Sequence, residues 1–413
     1  MNSTALKPVL NRIESIDAFR GFALAGILIV HFVEQYIAGP APEGAMEAIV
    51  QGPLDQGVDI FVNLFLRGKF FALFSILFGL SFFIQMDRAA QKGMDFRVRF
   101  VWRLLLLFAI GYLHHLFYRG DILTIYAVLG LVLVLFHRVS NKWLIWIMAL
   151  IFLGLPRYII YSTFGAGSLF GQAGFMPDSP ELATYFATLT SGSIWSVFAT
   201  NATEGMILKA DFQVGVISRG YLTFAFFLGG MMLGRLRFFE DTARYATELK
   251  KALKWSFAVL AGVIAAAVIL LLTQDLSAIE GLDSWIVMFG LTLYDLLNLS
   301  LTVIIFCLFV MAWEKTRGAR FFRWFIPYGR TALTNYVLQS VAGTAILYGW
   351  GLGLLGELRN IHTFAIALGV IIAQMVISRL WLQKFRYGPF EWVWRIGTYM
   401  KLFPIVKDRA QSD

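Results

Sequence analysis

Cysteine occurs once in 413 residues, as Cys307 within an apolar run. A disulfide inside one chain is thereby excluded, a cysteine metal cluster is not expected, and the redox compartment stays open. Five scattered histidines give no metal-ligand spacing, and no P-loop, HExxH or G-x-S-x-G pattern occurs. Charge is scarce as well: Asp, Glu, Lys and Arg make up 15% of the chain, against roughly 25% in an ordinary soluble domain. What fills the space is apolar, with 58% hydrophobic and 16% aromatic residues and a mean hydropathy of +0.69.

Such a chain is an all-α polytopic membrane protein. Apolar runs of about 20 residues recur along nearly its whole length, and in lipid every backbone N–H must be satisfied within the segment. The runs predict ten transmembrane helices, near 16–38, 69–86, 100–118, 121–137, 142–164, 214–234, 255–273, 285–312, 331–356 and 362–382. The first is too long and too polar at its flank for a cleaved signal peptide and reads as a retained helix. The charge of +9 carries no groove-reading or RNA-binding module with it, so no nucleic-acid partner is expected.

Basic residues crowd alternate loops: Arg88 to Arg103, Arg138 with Lys142, Arg235 to Lys254, Lys315 to Arg323, and the tail. The opposite loops carry acid instead, with Glu43, Glu47 and Asp55, then Asp178, Glu181, Glu204 and Asp211, then Asp275, Glu280 and Asp283. The positive-inside rule makes the basic loops and both termini cytoplasmic. The chain reads as one integral membrane domain, 1–413, with an extracytoplasmic stretch over 165–213 that either covers an outward opening or is a plain surface loop. A cytoplasmic tail over 383–413 holds a short interfacial helix in GPFEWVWRIGTYMKLF.

The first run, SIDAFRGFALAGILIVHFVEQY, keeps Asp17, Arg20, His31 and Glu34. At about 100° per residue these four fall on one stripe, with Arg20 and His31 about 16 Å apart along the axis. Charges at membrane depth face a cavity or the bundle interior. The stripe therefore lines a polar passage, or else Asp17 merely holds Arg20 while His31 bonds to a neighbouring helix. Arg67 and Lys69 open the second run, as snorkelling cations or as an anion site. His114, His115, Arg119 and Asp121 share a tight hairpin, where a carboxylate beside imidazole suits acid-base chemistry or simply closes the turn; His115 with Asp121 is the candidate pair. Arg219, Asp295 and Asn298 add polarity to the interior, and Arg330, Thr334, Asn335 and Gln339 gather at the cytoplasmic start of the ninth run, for coenzyme phosphate or lipid head groups. Gly351, Gly353 and Gly356 spell GxGxxG with no strand before them, and are expected to serve helix packing.

Five segments in order, SIDAFRGFALAGILIVH, GKFFALFSILFGLSF, GDILTIYAVLG, GRTALTNYVLQS and GPFEWVWR, make the whole chain resemble the YeiB-like bacterial membrane proteins that carry the domain of unknown function 418. The first helix is also similar to that of a wider group of membrane acyltransferases, including heparan-alpha-glucosaminide N-acetyltransferase, in which an arginine is followed eleven residues later by a histidine. Arg20 and His31 match that arrangement, although YeiB-like members often carry asparagine at the position of His31.

The resemblance implies a bundle of about ten helices in a bacterial inner membrane that passes an acyl group, acetyl in the first instance, from cytoplasmic acyl-CoA to a hydroxyl or amine. The acceptor is a small molecule or glycan reached from outside. His31 is then base or acyl carrier, with Asp17 orienting Arg20 and His115 and Asp121 positioning the acceptor. Arg20, Arg330 and Asn335 bind acetyl-CoA; Glu34, Arg67, Lys69 and Arg219 contact the acceptor; no metal is involved. Beyond the lipid bilayer a homodimer stays open. A transporter of a small anionic or polar solute, or a non-catalytic scaffold, are the alternatives.

Overall fold

Eighteen α-helices carry the chain through residues 13–42, 44–170, 179–274 and 281–407, the parts that the computed structural model describes. Glu43, Asp178, Asp275, Glu280 and the last six residues lie outside them. In order the helices are α1 Glu14–Val33, α2 Pro53–Phe61, α3 Phe70–Ala90, α4 Arg97–Phe117, α5 Leu123–Leu135 and α6 Asn141–Phe152. There follow α7 Leu155–Phe164, α8 Pro180–Ser191, α9 Ile194–Thr200, α10 Met206–Val214, α11 Arg219–Arg235 and α12 Ala246–Thr273. The last are α13 Trp285–Trp313, α14 Thr316–Phe322, α15 Phe325–Arg330, α16 Ala332–Leu347, α17 Asn360–Lys384 and α18 Pro389–Tyr399. Among the described residues the one β-bridge, Phe385 with Val406, is isolated.

Every expected apolar run is helical over most of its length, but among the described residues six helices are long and apolar enough to cross a membrane by themselves, or up to eight if each of two bent pairs is one span. The run near 142–164 is two helices, α6 and α7, bent by 52°. The run near 214–234 is α11, bent by 59° from the helical stretch Ile194–Val214. The second span is longer than its apolar run: α2 leads through a π-helical turn, Val62–Leu66, into α3. The ninth ends at Leu347, and Gly351, Gly353 and Gly356 stand beyond it in a turn where the last two have φ of +68° and +83°. Gly353 and Gly356 are turn glycines, whereas Gly351 serves close packing as expected, a Cβ there lying 1.9 Å from the Ala345 carbonyl oxygen of α16.

Core packing is dominated by rings and by close backbone approach. Gly79 of α3 and Gly230 of α11 face each other's helices so closely that a Cβ on either would lie 1.9 Å from a carbonyl oxygen, of Phe227 and Ile76 respectively. On the outside, α12 presents Trp255, Phe257, Ile264, Leu271 and Leu272. A bare apolar helix face of that kind matches contact with a lipid bilayer.

The tail helix α18 is tied into the bundle. Glu391 accepts from the backbone N–H groups of Leu333 (2.7 Å) and Thr334 (3.1 Å) and from the Thr334 hydroxyl (2.6 Å), so a glutamate from the tail satisfies the start of α16, which lacks a side-chain cap of its own. Burial pushes its carboxyl above the usual range, against the pull of those donors. Glu391→Ala is expected to cost about 1–2 kcal/mol, as capping losses do, and to lower the thermal midpoint of protein in nanodiscs; an unchanged midpoint would remove the capping role.

Candidate functional site

One large cavity, of about 670 Å³, opens where the carboxyl end of α1 meets the turn between α4 and α5 and the starts of α3 and α11. It is lined by His31 and Glu34 of α1, by Arg67 and Phe71, by Tyr118, Arg119 and Asp121 of the hairpin, by Lys209 of α10 and Arg219 of α11, and by Arg157 and Asp295 from α7 and α13. Charged groups of both signs thus meet inside a helical bundle, where each must find a partner or a ligand.

His31 is buried, at 8% exposure, among three tyrosines, with ring centroids 5.0 Å from Tyr118, 5.4 Å from Tyr36 and 6.4 Å from Tyr336. Its Nδ1 has no hydrogen-bond partner. Three residues on, Glu34 pairs with Arg67 at 2.6 Å, which places an ion pair one helical turn above the imidazole.

In the cavity wall, Asp121 organises a second network. Its carboxylate accepts from His114 Nδ1 (2.8 Å), from the backbone N–H groups of Leu123 (3.1 Å) and Thr124 (2.9 Å), from the Thr124 hydroxyl (2.8 Å) and from Lys209 Nζ (3.3 Å). Burial pushes this carboxyl up, but Lys209, His114 and the Thr124 amide outweigh that and hold it below the usual range. The expected partner His115 is elsewhere: Nε2 donates to the Asn201 carbonyl at 2.8 Å and Nδ1 accepts from Lys209 at 3.3 Å. The correction is one of helix phase, since adjacent residues point about 100° apart. It is His114 that meets Asp121, and its Nε2 has no partner.

The stripe along α1 is divided. Asp17 and Arg20 pair at 3.0 Å, and Arg20 also reaches the Ser81 hydroxyl at 3.2 Å, but neither lines the cavity. Phe70 packs on the opposite face of α1, its ring against Gly26 and 5.1 Å from Phe22, both about 120–160° around the helix from Arg20. The cavity takes in the carboxyl-terminal half of the stripe, His31 and Glu34, and not Asp17 or Arg20. Arg330 and Asn335 also stay outside the cavity, and Asn335 is committed to structure: its amide donates to the Thr331 hydroxyl (2.8 Å) and the Ser378 hydroxyl (2.9 Å). Lys69 is fully buried and donates to the Asn63 carbonyl at 2.9 Å, so it neither snorkels nor reaches the cavity surface. Arg219 does line it, its guanidinium 3.3 Å from the centroid of the Phe71 ring.

Three charged lining residues, Arg157, Lys209 and Asp59, stood outside the expected set. Arg157 donates to the Val216 carbonyl (2.7 Å), the Thr292 hydroxyl (2.8 Å) and Asp295, tying α7, the turn before α11 and α13 together. An arginine inside the apolar LPRYIIY was the visible signal. Lys209, in the stretch taken as an extracytoplasmic loop, belongs to α10, whose Leu208, Lys209, Phe212 and Gln213 wall the cavity. Among the described residues no three His, Cys, Asp or Glu side chains converge to hold a metal ion.

Comparison with known proteins fits this division of the chain. Residues 12–190, which hold His31, Arg67 and Asp121, match a family model described as the catalytic part of heparan-alpha-glucosaminide N-acetyltransferase. Residues 233–401 match the family described as protein of unknown function DUF418. The chain is 30% identical to YxaH of Bacillus subtilis (strain 168) over 418 residues, covering 98% of this chain and 99% of that one. It is 25% identical to YeiB of Escherichia coli (strain K12) over 434 residues, covering 97% and 100%. With likeness of that extent from end to end, the chain belongs to the YeiB-like, DUF418 family of membrane proteins.

Proposed function

We propose that this protein is a transmembrane acyltransferase that moves an acyl group, acetyl in the simplest case, from cytoplasmic acyl-CoA to a hydroxyl or amine of an extracytoplasmic or membrane-associated acceptor. The reading takes the chain as crossing the bacterial inner membrane ten times with both termini in the cytoplasm, so that α5 and α16 also cross. The observation that carries it is His31, an imidazole with a free nitrogen, standing in the wall of a charged cavity within the segment that resembles an acetyltransferase catalytic domain.

The chemistry asks little more of the protein. His31 takes the proton of the acceptor hydroxyl or amine as that atom attacks the thioester carbonyl; the C–S bond breaks and the thiolate leaves with a proton. If His31 attacks first, the acyl group rests on the imidazole until the acceptor takes it. For the coenzyme's phosphates the chain offers guanidinium chemistry at the other end of α1. Arg103 lies close enough to Arg20 and Arg395 to be repelled by both, and stacks 3.5 Å from the Trp394 ring. These three arginines fit phosphate oxyanions; Asn335, already bonded, does not contribute.

The test is label transfer. Purified protein in nanodiscs, given labelled acetyl-CoA and a panel of polar acceptors, is expected to bind the coenzyme saturably and to acylate or hydrolyse. No binding and no turnover in well-folded protein would end this reading. A second reading, transport, draws on the break between α10 and α11 beside Arg219, because broken helices mark solute sites in transporters. Flux of a solute without acyl transfer would select it.

A further inference from the structure

Among the charged groups that line the cavity, three carboxylates are already spent: Glu34 on Arg67, Asp121 on Lys209 and Asp295 on Arg157. Asp59 alone remains, against two cations, Arg119 and Arg219, that have no carboxylate within ion-pair distance among the described residues. Arg119 is 3% exposed. Its Nε donates to the Ile37 carbonyl at 2.9 Å and its guanidinium stacks 4.2 Å from the Tyr185 ring, yet Nη1 and Nη2 have no acceptor at all. Leaving two buried N–H forks unpaired is costly, and native proteins rarely do so without a ligand or a function. Gly39 lies against this guanidinium; a Cβ there would stand 2.7 Å from Nη2, so the absence of a side chain keeps that edge uncovered. Around Arg219 the two carboxylates near enough to act on it are both committed elsewhere, Asp295 to Arg157 and Glu34 to Arg67.

We infer that the cavity holds an oxyanion, a single phosphate or carboxylate group of the acceptor, with Arg119 and Arg219 as its binding residues. The inference rests on the acyltransferase reading for the word acceptor, and on the charges alone for the anion. One uncompensated positive charge, two arginines less Asp59, matches one oxyanion. The several phosphates of a coenzyme would overfill it, which leaves the donor to the arginines at the far end of α1. His31 lies in the same wall, so an acceptor held by its charged group brings its hydroxyl or amine within the cavity that contains the imidazole.

Binding and transfer are read separately on full-length protein. Wild type in phosphatidylcholine nanodiscs is titrated with methyl phosphate and with propionate, and a parallel sample is placed in nanodiscs containing phosphatidylglycerol, all followed by calorimetry and thermal midpoint. Saturable binding of a free anion, weakened about tenfold or more in Arg119→Gln and in Arg219→Gln, and partly restored in Arg119→Lys, is the expected result and marks a soluble acceptor. An arginine-dependent stabilisation seen with phosphatidylglycerol only supports the same site and marks a lipid headgroup. Asp59→Asn is expected to tighten binding by removing the opposing charge. Equal binding in wild type and both arginine variants, or none in either arm while the ligand-free midpoints match, overturns the inference. Transfer from acetyl-CoA to uncharged acceptors without oxyanion binding would leave the acyltransferase standing and remove the anion site; oxyanion binding without any transfer would do the reverse.

Discussion

His31→Ala is expected to lower acyl transfer about a thousandfold while acetyl-CoA still binds and the protein still folds. The three parts of that expectation have separate grounds. The rate falls because a general base or nucleophile is removed and the surrounding rings, Tyr36, Tyr118 and Tyr336, carry phenols that do not ionise readily near neutral pH. Coenzyme binding persists because Arg20 sits about 16 Å away along α1, with Arg103 and Arg395 grouped near it and not near His31. Folding persists because Nδ1 makes no hydrogen bond that the substitution could break, so the loss is one of packing against rings, not of a buried polar partner. His31→Gln keeps much of the volume and offers an amide in place of a base; it should be as slow as alanine. Single-turnover label transfer measures the rate, and the thermal midpoint checks the fold. Undiminished transfer in both variants would take His31 out of the chemistry.

How far the sequence foretold this site depends on the distance over which each part is specified. The positions of α1, α3 and α17 follow from runs of apolar residues and are local. The bends are not: hydropathy continues across Gly154, where a φ of +82° turns α6 into α7, and across the segment Gly215–Ser218 between α10 and α11. Arg20 and Asp17 pair as their spacing predicts, and His31 and Glu34 share the cavity wall. What α1 alone could not tell was that the cavity takes in only the carboxyl-terminal half of its stripe, His31 and Glu34, and leaves Asp17 and Arg20 outside. Nor could GYLHHLFYRGD choose between its histidines, because the choice turns on where α4 ends and on Tyr118 being extended. Lys209 and Arg157 reach the cavity from 88 and 36 residues beyond Asp121, on helices whose approach only the folded bundle defines.

Asp121→Ala is expected to be the most damaging single substitution to stability, costing about 3–5 kcal/mol, the range for breaking a buried charged pair. Removal strips His114 of its one hydrogen bond, leaving both ring nitrogens unpaired, and takes the counter-charge from Lys209, which would keep only the Thr124 hydroxyl at 2.6 Å and His115 at 3.3 Å. It also frees the first two N–H groups of α5, so the loss spreads from electrostatics to helix initiation. Asp121→Asn keeps an acceptor for those amides and should fall between wild type and alanine. The pH response has a definite sign. A carboxyl held below its unfolded value, which is about 3.9, contributes stability that is fully present above that value and is lost only as pH falls through the lower folded one. Between pH 5 and 8 the wild-type midpoint should therefore show no slope attributable to Asp121, and the gap between wild type and Asp121→Ala should stay constant. A gap that closes steadily from pH 8 to pH 5 would mean that Asp121 is protonated in the folded protein, and that His114 is oriented by a neutral acid and not by a carboxylate.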